Sequence, residues 1–183
     1  MIPNRRLPVR LLLAFSLLLL PAAAGAQEVY NYSVGLFGSI GGSFDADPGN
    51  DLSNTGFQVN LGYVTEPSTH LVLRAGRLGL DKSDFFGSLS DAEMKYVTLG
   101  GEYRYHESVY DSGVFVAIGG YRLEGDAGSR RSTQDSWGVS VGATGELPIR
   151  RWLGIQAEIS GHYVNFREAQ FFGMAQGGIV LHF

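Results

Sequence analysis

Hydrophobic and polar residues alternate with a period of two along most of the chain. The alternation occupies eight segments of about ten residues, at 29–44, 56–65, 69–80, 95–106, 113–124, 136–147, 152–163 and 171–183. A period of two is that of a β-strand, in which successive side chains point to opposite faces. The pattern therefore predicts an all-β protein.

The segments between these strands alternate in length. Long connections occupy 45–55, 81–94, 125–135 and 164–170, whereas the intervening connections, near 66–68, 107–112 and 148–151, are short. Short turns at one rim and long loops at the other are typical of membrane barrels. The sequence predicts an eight-stranded antiparallel up-and-down transmembrane β-barrel.

The distribution of charge between the two strand faces supports this interpretation. One face carries mainly apolar residues, among them Leu36, Val59, Leu73, Leu99, Phe115, Ala117, Val141, Ile159 and Ile179. The only charged residues predicted on this face are Arg77 and Lys95, and each lies at the end of its strand that adjoins a long loop. The other face carries Arg74, Glu102, Arg104, Arg122, Glu124, Glu146 and Glu158. A soluble barrel would enclose the apolar face, so this pattern predicts an apolar outer wall and a polar lumen.

Aromatic residues on the predicted outer face fall into two groups according to depth. Tyr30, Tyr32, Tyr63, Tyr103, Tyr105, Phe115 and Phe183 lie toward the short turns, and Phe57, Tyr121, Trp137, Tyr163 and Phe171 toward the long loops. Two such girdles anchor a barrel at the two membrane interfaces.

The first 26 residues resemble an export signal rather than part of the fold. Arg5, Arg6 and Arg10 precede an apolar run from Leu11 to Leu20, and Ala-Gly-Ala stands before Gln27. The run is about half as long as a spanning helix requires. Residues 1–26 are therefore predicted to be a cleaved signal peptide, and residues 27–183 the barrel.

Composition narrows the classes of function. The formal net charge of −4 becomes about −7 without the three N-terminal arginines, which argues against a nucleic-acid partner. The sequence has no cysteine, which excludes thiol catalysis and cysteine metal sites. We expect no cofactor and no metal site.

The C-terminal strand ends on an aromatic residue, with Ile179, Leu181 and Phe183 at alternate positions. Together with the predicted signal peptide and eight strands, this ending resembles that of the eight-stranded outer-membrane barrels of the OmpA and OmpX type. The resemblance implies a location in the bacterial outer membrane, among its lipid and lipopolysaccharide. It also implies that these three residues are the signal read by the barrel-assembly machinery. Members of this group include structural, adhesive and enzymatic proteins, so the resemblance leaves the activity open.

The predicted lumen brings charges of both signs to mid-depth, namely Arg74, Glu102, Arg104 and Glu158. An eight-stranded barrel is just wide enough for side chains to fill it, and buried charges must be paired. A structural ion-pair network that plugs the lumen is favoured over a small pore.

Glu158, Ser160 and His162 share one strand face and suggest a hydrolase. Residues two apart on a strand are separated by about 6.6 Å, beyond direct hydrogen bonding unless the side chains bend. We therefore favour a non-enzymatic barrel, with a lipid A-modifying enzyme as the alternative. Because strands three and four, with His70 and His106, are distant from strand eight, with His182, one metal site joining all three is not expected.

Two features point to partners outside the barrel. Arg77 and Lys95 lie on adjacent strands near the long-loop rim, where they could contact lipopolysaccharide phosphates or simply extend toward water. The loops 45–55, 81–94 and 125–135 mix acidic residues with Phe85, Phe86, Arg130 and Arg131. This composition suits an extracellular protein or glycan ligand without identifying one.

Overall fold

Eight antiparallel strands form a closed barrel in the computed structural model, which describes residues 30–44, 54–80, 90–106, 109–127, 130–167 and 170–183. The strands are β1 Tyr32–Ser43, β2 Asn54–Glu66, β3 Thr69–Leu80, β4 Ser90–His106, β5 Asp111–Ala127, β6 Arg130–Arg150, β7 Leu153–Val164 and β8 Phe171–His182. Each strand pairs with its neighbours in sequence, which confirms the predicted all-β, eight-stranded antiparallel up-and-down barrel. In the described part of the chain, no helix is long and apolar enough to cross a membrane.

The barrel closes where β1 pairs with β8. Their register runs from Ser33 opposite His182 to Ser43 opposite Phe172. Beyond it, the Tyr32 amide donates to the Phe183 carbonyl at 3.0 Å, and the Phe183 amide donates to the Tyr32 carbonyl at 2.9 Å. The two rings also stack, with centroids 6.1 Å apart. The last residue is therefore part of the seam.

Connections at one end of the barrel lie at 67–68, 107–110 and 151–152, and we call this end the turn rim. The other end, the loop rim, carries the connections 44–53, 81–89, 128–129 and 165–170. The predicted loop 125–135 is wrong, because β5 and β6 continue as a two-stranded ribbon to within two residues of each other. Ion pairs lie across the strands of this ribbon: Arg122 bonds Asp135 at 2.6 Å, and Arg131 bonds Glu124 at 2.7 Å. The apolar alternation stops at residue 124 and resumes at residue 136, so it predicts a loop between them.

The outer wall is an exposed band of large apolar side chains, including Leu36, Leu61, Leu99, Val116, Val141, Ile155 and Ile179. Exposed aromatics flank it, with Tyr63, Tyr103, Tyr105 and Phe183 toward the turn rim and Phe57, Trp137, Tyr163 and Phe171 toward the loop rim. The predicted inward and outward faces are confirmed for seven of the eight strands.

The fifth strand is the exception. Phe115, Ala117 and Tyr121 were predicted to face outward but are buried in the lumen. Arg122, predicted to face inward, is exposed, and Glu124 shares its outer face. The stretch Val114 to Ile118 is apolar on both faces, so alternation could not decide between them. Tertiary packing of Phe115 and Tyr121 inside the barrel sets the parity.

The lumen contains two layers of different chemistry. Toward the loop rim, an apolar cluster comprises Leu78, Leu80, Ala92, Met94, Tyr96, Tyr121, Leu123, Val164, Phe166, Phe172 and Met174. Toward the turn rim lie buried charged residues, which include Arg74, Glu102, Arg104, Glu146 and Glu158. Side chains therefore fill the interior, as expected for eight strands.

Replacing Leu99 by Arg tests whether the exposed band faces lipid. Leu99 is 48% exposed in the middle of the band, where a cation in hydrocarbon costs roughly 2–4 kcal/mol. The matched variant Thr133→Arg lies on the exposed outer face of the ribbon, where the cost is about 0–1 kcal/mol. We expect urea titration in lipid vesicles to show this difference in the free energy of unfolding. Equal costs would contradict a lipid-facing wall.

Candidate functional site

An ion-pair network joins opposite walls of the lumen. Arg74, on β3, donates from Nη2 to Glu102 Oε2 on β4 at 2.6 Å and from Nε to Glu158 Oε2 on β7 at 3.1 Å. All three side chains are at most 2% exposed. Because β3 and β7 are not neighbours, the second bond crosses the barrel interior. Hydrogen bonds between two charged groups are about twice as strong as those between neutral groups.

A second arginine extends the network toward the turn rim. Arg104 donates from Nε to Glu102 Oε1 and from Nη1 to Glu146 Oε2, both at 2.8 Å. Glu146 also contacts His182 Nε2 at 2.6 Å. Thr144 donates its hydroxyl to Glu102 at 3.1 Å. The network thus contains both predicted arginines and both predicted glutamates, together with Glu146 and His182.

Because the network is buried, its stability depends on the pairing of its positive and negative charges. Two guanidinium groups face three carboxylates, and desolvated charges are tolerated only when they are paired and hydrogen-bonded. Arg74 Nη1 has no hydrogen-bond partner in the described part of the chain. Instead, Arg74 Cζ lies 3.7 Å from the centre of the Phe115 ring, whose face attracts a cation. The sequence analysis missed Phe115 because it placed β5 with the wrong parity.

Polar side chains connect the network to the aromatic part of the lumen. Tyr96 donates its hydroxyl to Gln58 Oε1 at 2.6 Å, and Gln58 Nε2 donates to Glu158 Oε1 at 3.3 Å. Gln176 Nε2 donates to the same Gln58 oxygen at 3.1 Å. Glu158 is therefore held by Arg74 on one side and by neutral amides on the other.

Ser160 and His162 do form a hydrogen bond, because their side chains bend toward each other. Ser160 Oγ lies 3.0 Å from His162 Nε2, and His162 Nδ1 lies 2.9 Å from the Tyr121 hydroxyl. A neutral tyrosine takes the place at which a catalytic carboxylate would stabilise the imidazolium. Glu158 bonds Arg74 rather than His162. The apolar cluster covers this group toward the loop rim, so its surroundings are those of packed core residues.

The turn rim opens into a vestibule of about 880 Å³. His70, His106 and His182 all line it, together with Arg104 and Glu146. His106 bonds Asp111 at 3.0 Å and the Pro67 carbonyl at 2.7 Å, whereas His182 bonds Glu146. Among the described residues, no three His, Cys, Asp or Glu side chains are placed to hold a metal ion.

Arg77 and Lys95 lie on the outer wall near the loop rim, directly opposite each other in the β3–β4 ladder. Arg77 bonds Glu93 at 3.0 Å, and Lys95 bonds Glu93 at 3.2 Å and Glu124 at 3.0 Å. Arg122 is opposite Lys95 on the next strand. Three adjacent strands therefore carry cations at the same level of the wall.

The remaining predicted site residues divide between described and undescribed parts of the chain. Ile179 and Phe183 are exposed on the outer wall, and Leu181 shares their face at the seam. The predicted signal peptide 1–26 and the loop residues Phe85 and Phe86 lie outside the described residues. The same holds for the 45–53 part of the first loop and for the Arg130 side chain.

Comparison with known proteins shows similarity of fold at low sequence identity. No protein-family model matches the sequence, and no curated protein matches it. Neisserial surface protein A superposes with a TM-score of 0.68 at 14% identity, covering 83% of this chain and 97% of that structure. The N-terminal barrel domain of Pseudomonas aeruginosa OprF gives 0.62 at 13% identity, covering 85% and 100%. Ail, the attachment invasion locus protein of Yersinia pestis, gives 0.56 at 16%, covering 84% and 97%.

The chain therefore has the fold of the eight-stranded outer-membrane β-barrels. The closed sheet, the apolar outer wall and the charged lumen agree with that class, and the predicted resemblance is confirmed.

A double-mutant cycle on Arg74 and Glu158 tests the network. In the described part of the chain, Arg74 is the only cation bonded to Glu158, whereas Arg74 is also bonded to a second carboxylate, that of Glu102. Arg74→Met strands a buried carboxylate and should cost about 3–5 kcal/mol. Glu158→Leu leaves Arg74 paired and should cost about 1.5–3 kcal/mol.

The double variant should cost clearly less than the sum of the two single variants, because neither charge is then stranded. Urea titration of the purified barrel supplies all the values. Arg77→Met is the control, since its exposed ion pair should contribute less than about 1 kcal/mol. Additive costs for Arg74 and Glu158 would show that the pair is not coupled.

Proposed function

We propose that this protein is a non-enzymatic integral outer-membrane barrel with a plugged lumen, acting in envelope structure or in surface interaction. The observation that carries the proposal is the filled interior, in which the Arg74 network and the apolar cluster lie one above the other. A lumen packed in this way favours a structural plug over a small pore. The fold similarity supports the outer-membrane location.

Export and assembly are part of the same proposal. Residues 1–26 act as the signal peptide that directs the chain out of the cytoplasm, and residues 27–183 form the barrel. Ile179, Leu181 and Phe183 are the signal for the barrel-assembly machinery. Phe183 is well suited to this role, because it is exposed at the membrane interface while its backbone completes the seam.

Surface interaction would use the loop rim. The β5–β6 ribbon presents exposed Arg122, Arg131 and Asp135 beyond the apolar band. Ail, which shares the fold, has been solved in complex with the heparin analogue sucrose octasulfate. A protein or an anionic glycan is therefore the kind of extracellular ligand that we propose for this end of the barrel.

A lipid A-modifying enzyme is the alternative, and the hydrogen bond between Ser160 and His162 is the observation that favours it. Three features weigh against it. Both side chains are buried, the histidine is held by Tyr121 rather than by a carboxylate, and the pair faces the lumen instead of lipid. The non-enzymatic role is therefore preferred.

Conductance in planar bilayers distinguishes a plug from a pore. We expect the wild-type barrel to show no sustained ion conductance, because paired charges and apolar side chains fill its interior. Glu102→Leu, which breaks bonds to both Arg74 and Arg104, serves as the comparison. A steady wild-type conductance altered by this substitution would favour the pore.

Deleting Phe183 should strongly reduce the amount of folded barrel in the outer membrane. Tyr32→Ala is the matched control, since it removes the ring that stacks on Phe183 but keeps the C-terminal pattern intact. We expect near-normal levels of heat-modifiable protein for Tyr32→Ala and a loss for the deletion. Equal loss in both variants would assign the effect to packing at the seam rather than to an assembly signal.

A further inference from the structure

The outer wall has a groove of about 690 Å³ between the apolar band and the loop rim. Val59, Ala75, Val97 and Gly120 form its apolar part, and Phe57 lies beside them. Arg77, Lys95 and Arg122 line the same groove. Its volume is within the range of small-ligand sites, about 300–1,000 Å³.

The register places the three cations in one row. Phe57 is opposite Arg77, Arg77 is opposite Lys95, Lys95 is opposite Arg122, and Arg122 is opposite Asp135. Like charges directly opposite each other destabilise a sheet unless anions neutralise them. Glu93, Glu124 and Asp135 do so here, but the pairs made by Arg77 and Arg122 are largely exposed.

The next row toward the middle of the wall is apolar and shallow. Val59 is opposite Ala75, Ala75 is opposite Val97, and Val97 is opposite Gly120. A Cβ added at Gly120 would meet nothing within 4 Å, so this position opens onto free space. Small residues below a row of cations leave room for a chain lying along the wall.

We propose that this groove binds one phosphorylated acyl lipid, with its phosphate on Arg77, Lys95 and Arg122 and an acyl chain along Val59, Ala75, Val97 and Gly120. Guanidinium N–H groups that Arg77 and Arg122 leave without a partner among the described residues bind the phosphate, and the apolar floor selects a lipid rather than a dissolved anion. Exposed ion pairs contribute little to stability, so the cations can engage a phosphate at small cost. In the described part of the chain, Arg77 donates only through Nη1 and Arg122 only through Nε and Nη2. The inference rests on the proposed membrane location and names lipid A of the adjoining leaflet as the occupant.

Native mass spectrometry of the detergent-purified barrel tests the site, with diphosphorylated lipid A and its dephosphorylated form as the two probes. We expect wild type to prefer the phosphorylated probe by about tenfold or more. The triple variant Arg77→Gln, Lys95→Gln, Arg122→Gln should lose most of that preference, since each exposed charge contact contributes up to about fivefold. The matched control neutralises three exposed arginines that neither line the groove nor bond its acidic neighbours, namely Arg150, Arg151 and Arg167.

A second pair of variants tests the apolar floor without changing charge. Gly120→Leu should fill the groove and weaken binding of both probes, whereas Gly161→Leu, at another position open to free space, should not. Equal binding of the two probes by wild type, equal effects of the two triple variants, or displacement of the lipid by inorganic phosphate would overturn the proposal.

Fractionation and heat modifiability of wild type keep this inference separate from the proposed function. A folded barrel in the outer membrane that shows no preference for phosphate refutes the lipid site alone. A wild-type chain that does not reach the outer membrane refutes the proposed location, while the binding comparison in detergent still decides the site.

Discussion

Complete pairing of the backbone is the constraint on which this structure depends. A strand edge exposed to lipid would leave amide and carbonyl groups without partners, at several kcal/mol each. The β1–β8 ladder removes that edge. The reciprocal backbone hydrogen bonds between Tyr32 and Phe183 extend the ladder to the last residue. The position of Phe183 in the seam therefore follows from the same requirement that closes the barrel.

Closure in lipid also explains why the interior is charged. The outer wall has to be apolar, so the polar side chains of each alternating strand point into a lumen too narrow for bulk water. Charges placed there must satisfy one another, and Arg74 and Arg104 do so by dividing their donors among Glu102, Glu146 and Glu158. Each arginine joins two acids, so the network ties β3, β4, β6 and β7 together across the barrel. Such a network stabilises one arrangement of the strands and also obstructs passage.

The parts predicted from the sequence are those set by alternation alone. Strand number, connectivity and the faces of seven strands follow from period two, because one face meets lipid and the other does not. The fifth strand could not be oriented in this way, because Val114 to Ile118 is apolar on both sides and the packing of Phe115 and Tyr121 inside the barrel decides its orientation. The alternation did not predict the strands of the ribbon, for a different reason. The ribbon's polar residues continue the β5–β6 ladder and form ion pairs across it, which composition does not reveal. The Ser160–His162 bond likewise depends on side-chain rotamers that spacing cannot specify.

The orientation of β5 and the extension of β5 and β6 together change the outer wall. Turning Tyr121 into the lumen places Arg122 outside, opposite Lys95, and makes Gly120 part of the lipid-facing surface. The predicted pair of outward cations becomes a row of three, and the missing side chain at residue 120 leaves space below them. Glu124, two residues beyond Arg122 on β5, and Asp135, opposite Arg122 on β6, neutralise the row. The packing of one strand's inner face thus determines whether its outer face can receive an anionic lipid.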